Sequence, residues 1–197
     1  IFFSDDNKIG DVLQGVLDRT REILSAEKCA LFLVDSSEKS LVLEKASGSI
    51  DFQKIKNYAN YNIGHYSEKG KKTGVTPWVL HRKKPFNARN FRELLDNSEG
   101  HWRGNWDDPM YGGRKNASRD FKCVYMVPLL AGDKAIGVLK YENRIKGKDY
   151  FDQADERLID IIAELITNLV ISLRIERARY DYCLPLISDV LVTHFGQ

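Results

Sequence analysis

The sequence predicts an α+β domain, with helices laid against a central antiparallel sheet. Three observations carry that prediction. Two apolar, β-rich runs, Cys123–Leu130 and Ala135–Tyr141, flank the turn-forming set Ala131-Gly132-Asp133-Lys134, which reads as a β-hairpin. A long helix follows, with Leu158, Ile162, Leu165, Leu169 and Leu173 at helical spacing. A helix leading into a second hairpin opens the chain.

In chain order, Ile9, Val12, Leu13, Val16, Leu17, Thr20, Ile23 and Leu24 keep helical spacing behind the N-cap choices Asp5-Asp6-Asn7, so a first helix is expected to end near Ala26. Cys29–Val34 reads as a strand apolar on both faces, and Asp35–Lys39 as a turn. Leu41–Ala46 is the returning strand, ended by Gly48. Its alternation puts Val42 and Ala46 on one face and Leu41 and Leu43 on the other, with Glu44 a polar break. From Ser49 to Lys72 the pattern weakens: Tyr58, Tyr61 and Tyr66 interleave with Asn57, Asn60 and Asn62, which predicts loop and short helix. Lys69, Lys71 and Lys72 read as a solvated loop rather than an anion site.

Gly74–Arg82 predicts a short helix. Pro77 fits its first turn, where a missing N–H costs nothing, and Trp78 turns inward. Pro85–Asn90 predicts a short edge strand. Glu93–Asp120 is a long connection holding His101, Trp102, Trp106, Met110 and Tyr111, with two of the chain's three tryptophans. Exposed tryptophan is unfavourable, so this segment packs over the sheet as a structural flap or covers a pocket as a lid. The last helix begins after Asp152, whose carboxylate is expected to accept from the backbone N–H of Asp155. Asp155 and Glu156 then suit the helix dipole. Pro185 is expected to break the chain at Leu184, leaving Leu186–Phe195 as a second short helix.

Composition fits one globular domain of 197 residues, 43% of them hydrophobic. Thirty basic and 28 acidic residues leave a net charge of +2, which supports neither a nucleic-acid nor a membrane-surface role. Glu164, Thr167 and Asn168 interrupt the longest apolar run before it reaches membrane-spanning length, and no signal-peptide pattern appears. Cys29, Cys123 and Cys183 are few and far apart. Read as reduced, buried thiols, they place the protein in the cytoplasm. A chain that begins at isoleucine is read as a fragment of a longer protein.

Two segments resemble one family. Pro128, Leu129, Gly132, Ile136, Gly137, Val138 and Leu139, followed by Asn143, Arg144, Phe151, Asp155 and Glu156, resemble the closing half of a GAF domain, a small-molecule sensory module. Gly74-Val75-Thr76-Pro77-Trp78-Val79 with Lys84-Pro85-Phe86-Asn87 resembles that family's upstream segment. The resemblance implies a GAF domain over 1–177 and, over 178–197, a linker or short helix leading to an output domain. It also implies a central antiparallel sheet of about six strands. The first and last helices would lie on one face, and the segment 49–120 would shape a ligand cavity on the other. The ligand-binding residues it implies are Thr76, Trp78, Asn90, His101, Trp102, Trp106, Tyr111 and Tyr125, although Trp78 reads equally well as core. The function implied is a regulatory sensor that binds a small molecule and signals to its neighbour. The alternative is a scaffold that binds no ligand and serves dimerisation. Family alone names no ligand.

Asn143, Arg144, Phe151, Asp155 and Glu156 resemble the signature of cyclic-nucleotide-binding GAF domains, with arginine where that signature has lysine. Cyclic nucleotide is thereby the leading named ligand. Physically the motif reads as a lock: the cation after the last strand pairs with Asp155 while Phe151 enters the core, ordering the loop beneath a pocket whether or not it touches ligand. His65, His81, His101 and His194 share no metal spacing, so no metal is expected. His81 or His101 alone argues only weakly for haem. Cys123, on a strand and with no histidine after it, argues against bilin attachment. Free methionine sulfoxide reductases of this family need pocket cysteines that have no match here, so no enzyme is expected. Finally, the last helix is apolar around more of its girth than one sheet contact needs, which predicts a homodimer through the first and last helices, with no nucleic acid and no membrane as partner.

Overall fold

A computed structural model describes residues 5–49, 60–63, 74–99, 101 and 121–195, with backbone alone for 5–9 and 180–195. The elements in order are α1 (Asp5–Ile23), β1 (Ala26–Val34), β2 (Ser40–Gly48), β3 (Asn60–Asn62), α2 (Val75–Arg82), β4 (Phe86–Ala88), α3 (Phe91–Asn97), β5 (Val124–Ala131), β6 (Lys134–Arg144) and α4 (Gln153–Phe195). The strands form one six-stranded sheet in the order β3-β2-β1-β6-β5-β4, every neighbouring pair antiparallel. The α+β class and the six-stranded antiparallel sheet stand as the sequence implies.

Strand alternation sorts the core into two layers. Cys29 and Leu31 of β1, Cys123, Tyr125, Val127 and Leu129 of the β5 segment, and Leu139 and Tyr141 of β6 face α1 and α4, meeting Leu13, Leu17, Ile159, Ile162, Ile166 and Val170. Ala30, Phe32, Leu41, Leu43, Val124, Met126 and Val138 face the other way, meeting Trp78 and Val79 of α2 and Leu94 of α3. The two central strands, β1 and β6, approach so closely at Gly137 that a Cβ there would lie 2.4 Å from the Phe32 carbonyl oxygen. That contact explains why the apolar run of β6 is interrupted by glycine.

Several boundaries differ from expectation, each for a physical reason. The first helix stops at Ile23 rather than near Ala26, because Ser25 turns left-handed and its carbonyl accepts from the N–H of Ile145, which lets β1 begin at Ala26. Glu44 is a β-bulge: Leu31 pairs with Lys45 while Phe32 pairs with Leu43. The bulge shifts the alternation, so Ala46 packs with the layer of Leu41 and Leu43 instead of opposite them. Part of the long aromatic connection is helical: Asn90 starts α3 by accepting from the Glu93 N–H at 2.9 Å. No break appears at Leu184. The backbone of α4 runs through Pro185 to Phe195, since a proline removes one helical hydrogen bond without obliging the helix to end. The tip of the second hairpin is the turn expected, with Gly132 at φ 60°.

Candidate functional site

The side of the sheet that carries α2 and α3 holds charges that its apolar pattern does not predict. On β6, Lys140 and Glu142 alternate with Tyr141 and so share the face of Val138. Both side chains are wholly buried and paired with each other. Lys28 of β1 stands in register with Glu142 and is also buried. Its ammonium lies 3.6 Å from the carboxylate of Glu27. A buried ion pair on central strands confers little stability over apolar residues of the same size, because desolvation offsets its Coulomb attraction. Such a group at the centre of a sheet face is more informative as a candidate binding floor than as a stabilising device.

Above this floor lies α2. Gly74 leads into it at φ 99°, and Pro77 sits in its first turn. Thr76, Trp78, Val79 and Leu80 are buried. The Thr76 hydroxyl points to the Met126 sulfur at 4.0 Å, and Met126 is the register partner of Lys140. Trp78 stacks on His101 with ring centroids 5.2 Å apart, meets Phe86 edge-on at 5.8 Å, and carries the Arg82 guanidinium 4.6 Å from its ring centre. Thr76, Trp78 and His101 are therefore brought together.

Two other expected ligand residues are not. Tyr125 lies on the opposite face: its neighbours Val124 and Met126 point to α2, so a period of two turns Tyr125 to the helices, where its hydroxyl donates to Asp160 at 3.1 Å. Burial and the adjoining Asp160 carboxylate push that phenol above its ordinary pKa. Asn90 is exposed and spends its side-chain oxygen on the α3 cap. Trp102, Trp106 and Tyr111 lie outside the described residues, and with them the question of a flap or a lid. Lys28, Lys140 and Glu142 were missed by sequence reasoning. The available signal was charge inside the two central strands, β1 and β6.

The lock motif occupies the end of β6 and the start of α4. Asn143 adopts φ 55°, a conformation asparagine tolerates, and is buried. Its side-chain oxygen accepts from the Lys122 N–H at 2.9 Å, and its amide donates to Glu27 at 2.9 Å. Burial raises the Glu27 pKa, but that bond, the Ser49 hydroxyl and the Lys28 ammonium outweigh it and hold the carboxyl below its ordinary value. Arg144 pairs with Asp155 and also donates to the carbonyls of Lys146 at 3.1 Å and Tyr150 at 3.4 Å. Asp155 and Asp152 cap each other: Asp152 accepts from the Asp155 N–H at 3.2 Å, and Asp155 accepts from the Asp152 N–H at 2.9 Å. Phe151 is fully buried against Tyr141, and Glu156 accepts from the Asn87 side chain. Among these contacts the motif fastens strand to helix on the α4 side, away from Trp78.

Among the described residues no group of His, Cys, Asp and Glu side chains is placed to hold a metal. His81 is exposed and His101 is engaged by Trp78. Cys29 and Cys123 are free, buried thiols facing the α1–α4 layer, and burial pushes both above the ordinary thiol pKa. A shallow surface cleft between Leu80, His81 and Lys83 of the α2 end and Ala131–Ala135 of the hairpin tip has a volume of about 510 Å³ and no convergent chemistry.

A six-stranded antiparallel sheet with α1 and α4 on one face, and α2 and α3 on the other with its buried charges, is an α+β sensory-type architecture only in outline, and the sequence is what assigns it to a family. The sequence matches the GAF domain family over residues 8–172, and the chain belongs to that family. The GAF domain of a phosphoenolpyruvate-protein phosphotransferase from Coxiella burnetii is similar at 18% identity, with 86% of each chain covered and a TM-score of 0.65. Residues 122 to 287 of a methyl-accepting chemotaxis protein are 16% identical, over 86% of this chain and 93% of that one, with a TM-score of 0.63. The free methionine-R-sulfoxide reductase of Neisseria meningitidis, solved with its substrate, is 16% identical over 84% of this chain and 80% of its own, with a TM-score of 0.56. At such identities the likeness is one of fold. No curated protein matches the sequence.

Proposed function

We propose that this GAF domain is a regulatory sensor that binds a small molecule on the α2 side of its sheet and passes the change along α4 to an output domain, as a cytoplasmic homodimer. The observation that carries the reading is the buried Lys140–Glu142 pair with Lys28 beside it, on the sheet face that α2 covers with its buried Thr76 and Trp78, the latter stacked on His101. Apolar pockets with a few converging polar groups are the usual form of small-molecule sites, and this face supplies both kinds of residue. Cyclic nucleotide remains the named ligand to try first. The lock motif gives it no contact of its own, because Arg144 is occupied by Asp155 and by two backbone carbonyls. A regulatory rather than enzymatic role is supported by Cys29 and Cys123, whose buried thiols face the opposite layer from the floor. Among the described residues no helix is long and apolar enough to cross a membrane.

Native mass spectrometry of the freshly purified chain tests the proposal, with calorimetric titration of cyclic AMP and cyclic GMP as the second arm. A retained small mass that is lost in the double variant Lys140→Met with Glu142→Leu, which leaves no buried charge unpaired, supports the sensor. A chain that retains nothing and binds neither nucleotide, while still dimerising, supports the scaffold reading instead.

A further inference from the structure

All three residues of β4 are committed to contacts. Phe86 and Ala88 join the core under α2, where Phe86 meets the edge of Trp78. Asn87, between them, points through the other face. Its amide donates to the carboxylate of Glu156 and to the Phe151 carbonyl at 3.4 Å. Its backbone carbonyl accepts from Asn97 of α3 at 3.4 Å. The side-chain oxygen of Asn87 is buried without a hydrogen-bond partner among the described residues, so the amide is oriented by its bonds to Glu156 of α4 and to the Phe151 carbonyl just before it. Glu156 lies in the first turn of α4, next to the Asp155 that closes the capping box and holds Arg144.

We propose that β4 is the link through which the α2 side of the sheet acts on α4, with Asn87–Glu156 as the coupling contact. A shift of Trp78 displaces Phe86. One residue further along the same strand, that displacement reaches Asn87 on the opposite face and loosens or tightens the first turn of α4. An edge strand suits this task. Among the described residues β4 is held to the sheet by β5 alone, through the pairs Phe86–Met126, Asn87–Tyr125 and Ala88–Val124, so it can tilt without disturbing two ladders, as β1 or β6 could not. The use of the link in signalling rests on the sensor reading above, whereas the coupling itself is tested without any ligand.

The experiment is hydrogen exchange by mass spectrometry on the whole chain, read in peptides covering 152–160. The N–H groups of Ala154 and Asp155 there are held by the Asp152 carboxylate and report the state of the first turn. Trp78→Leu is expected to speed exchange in those peptides several-fold. In an Asn87→Ala background exchange is already fast, and Trp78→Leu adds nothing further. Phe86→Leu, a milder change, is expected to give the same pattern should Trp78→Leu impair folding. Glu156→Gln keeps an acceptor for Asn87 and preserves the response, whereas Glu156→Ala abolishes it. Equal rises with and without Asn87, or a rise confined to α2, would overturn the proposal. These results are read independently of whether a small molecule is retained, so loss of the sensor reading and loss of the link are told apart.

Discussion

Arg144 stands where β6 leaves the sheet, and its side chain is 18% exposed against 14% for Asp155. Exposed ion pairs contribute roughly 0–1 kcal/mol, and pairs in one hydrogen-bonded network couple by about 0.5–3 kcal/mol. A double-mutant cycle of Arg144→Ala and Asp155→Ala is therefore expected to show a coupling of about 1 kcal/mol or more in chemical denaturation. No coupling would sink the lock as an energetic unit. Arg144→Lys should recover only part of the loss, because an ammonium cannot reach Asp155 and the carbonyls of Lys146 and Tyr150 together. The neighbouring cap sets an acid limit. The Lys148 ammonium, followed by the Asp155 N–H, holds the Asp152 carboxyl down at about 2. An unfolded aspartate titrates near roughly 3.9. The depressed pKa means that the contribution of Asp152 is complete above about pH 4 and lost as pH falls towards 2. Melting temperature followed across that window should show the loss in the wild type. Asp152→Asn keeps a capping oxygen but cannot titrate, so its melting curve should lack this part of the acid dependence.

At the scale of the element, β6 is the strand that decides the site. Lys140 and Glu142 are buried together, and breaking such a pair from one side strands a charge. Lys140→Met alone is expected to cost about 3–5 kcal/mol of unfolding free energy. Lys140→Met with Glu142→Leu should recover most of that and still fail to hold any small molecule that the wild type retains in native mass spectrometry. A double variant as damaged as the single one would mean that the pair is structural. How far the sequence disclosed these elements follows from the period of each. The start and the apolar stripe of α4, the second hairpin and the Asp152 cap were legible because a 3.6-residue stripe, a Gly-Asp turn and a capping carboxylate are local signals, whereas the run of α4 through Pro185 was not. The face of Ala46 was not, because a bulge at Glu44 shifts the alternation and a bulge is defined by the partner strand. Tyr125 was misplaced for a related reason: in a strand buried on both faces, composition cannot say which residues look towards which layer. Lys28, Lys140 and Glu142 escaped because single charges in apolar strands acquire meaning only when the register sets them side by side.

At the scale of the whole molecule, α4 is the feature that the domain itself does not use up. Its 43 residues span about 65 Å at 1.5 Å per residue, far more than a sheet needs for cover. Ile159, Ile162, Ile166 and Val170 are consumed by the sheet, and residues 174–179 are exposed. Ile161, Leu165 and Ile175 are 58%, 63% and 51% exposed, and Val12 and Ile23 of α1 are similarly open. The expected stripe thus divides in two: Leu158, Leu169 and Leu173 pack partly against the core, while Leu165 turns to solvent. A helix that continues past its sheet has little stability of its own, since most helical stability in proteins comes from packing an apolar face. A second copy of the same helix, laid alongside with its own Ile161 and Leu165, offers that packing with twofold symmetry and no new partner. Sedimentation equilibrium over a wide concentration range is therefore expected to give a dimer. Leu165→Glu, at an exposed position that the monomer core does not need, should shift it towards monomer by at least tenfold in dissociation constant while leaving the melting temperature of the monomeric fold within a few degrees. A wild type that sediments as a monomer at every concentration, or a dimer indifferent to Leu165→Glu, would rule this helix face out as the association surface.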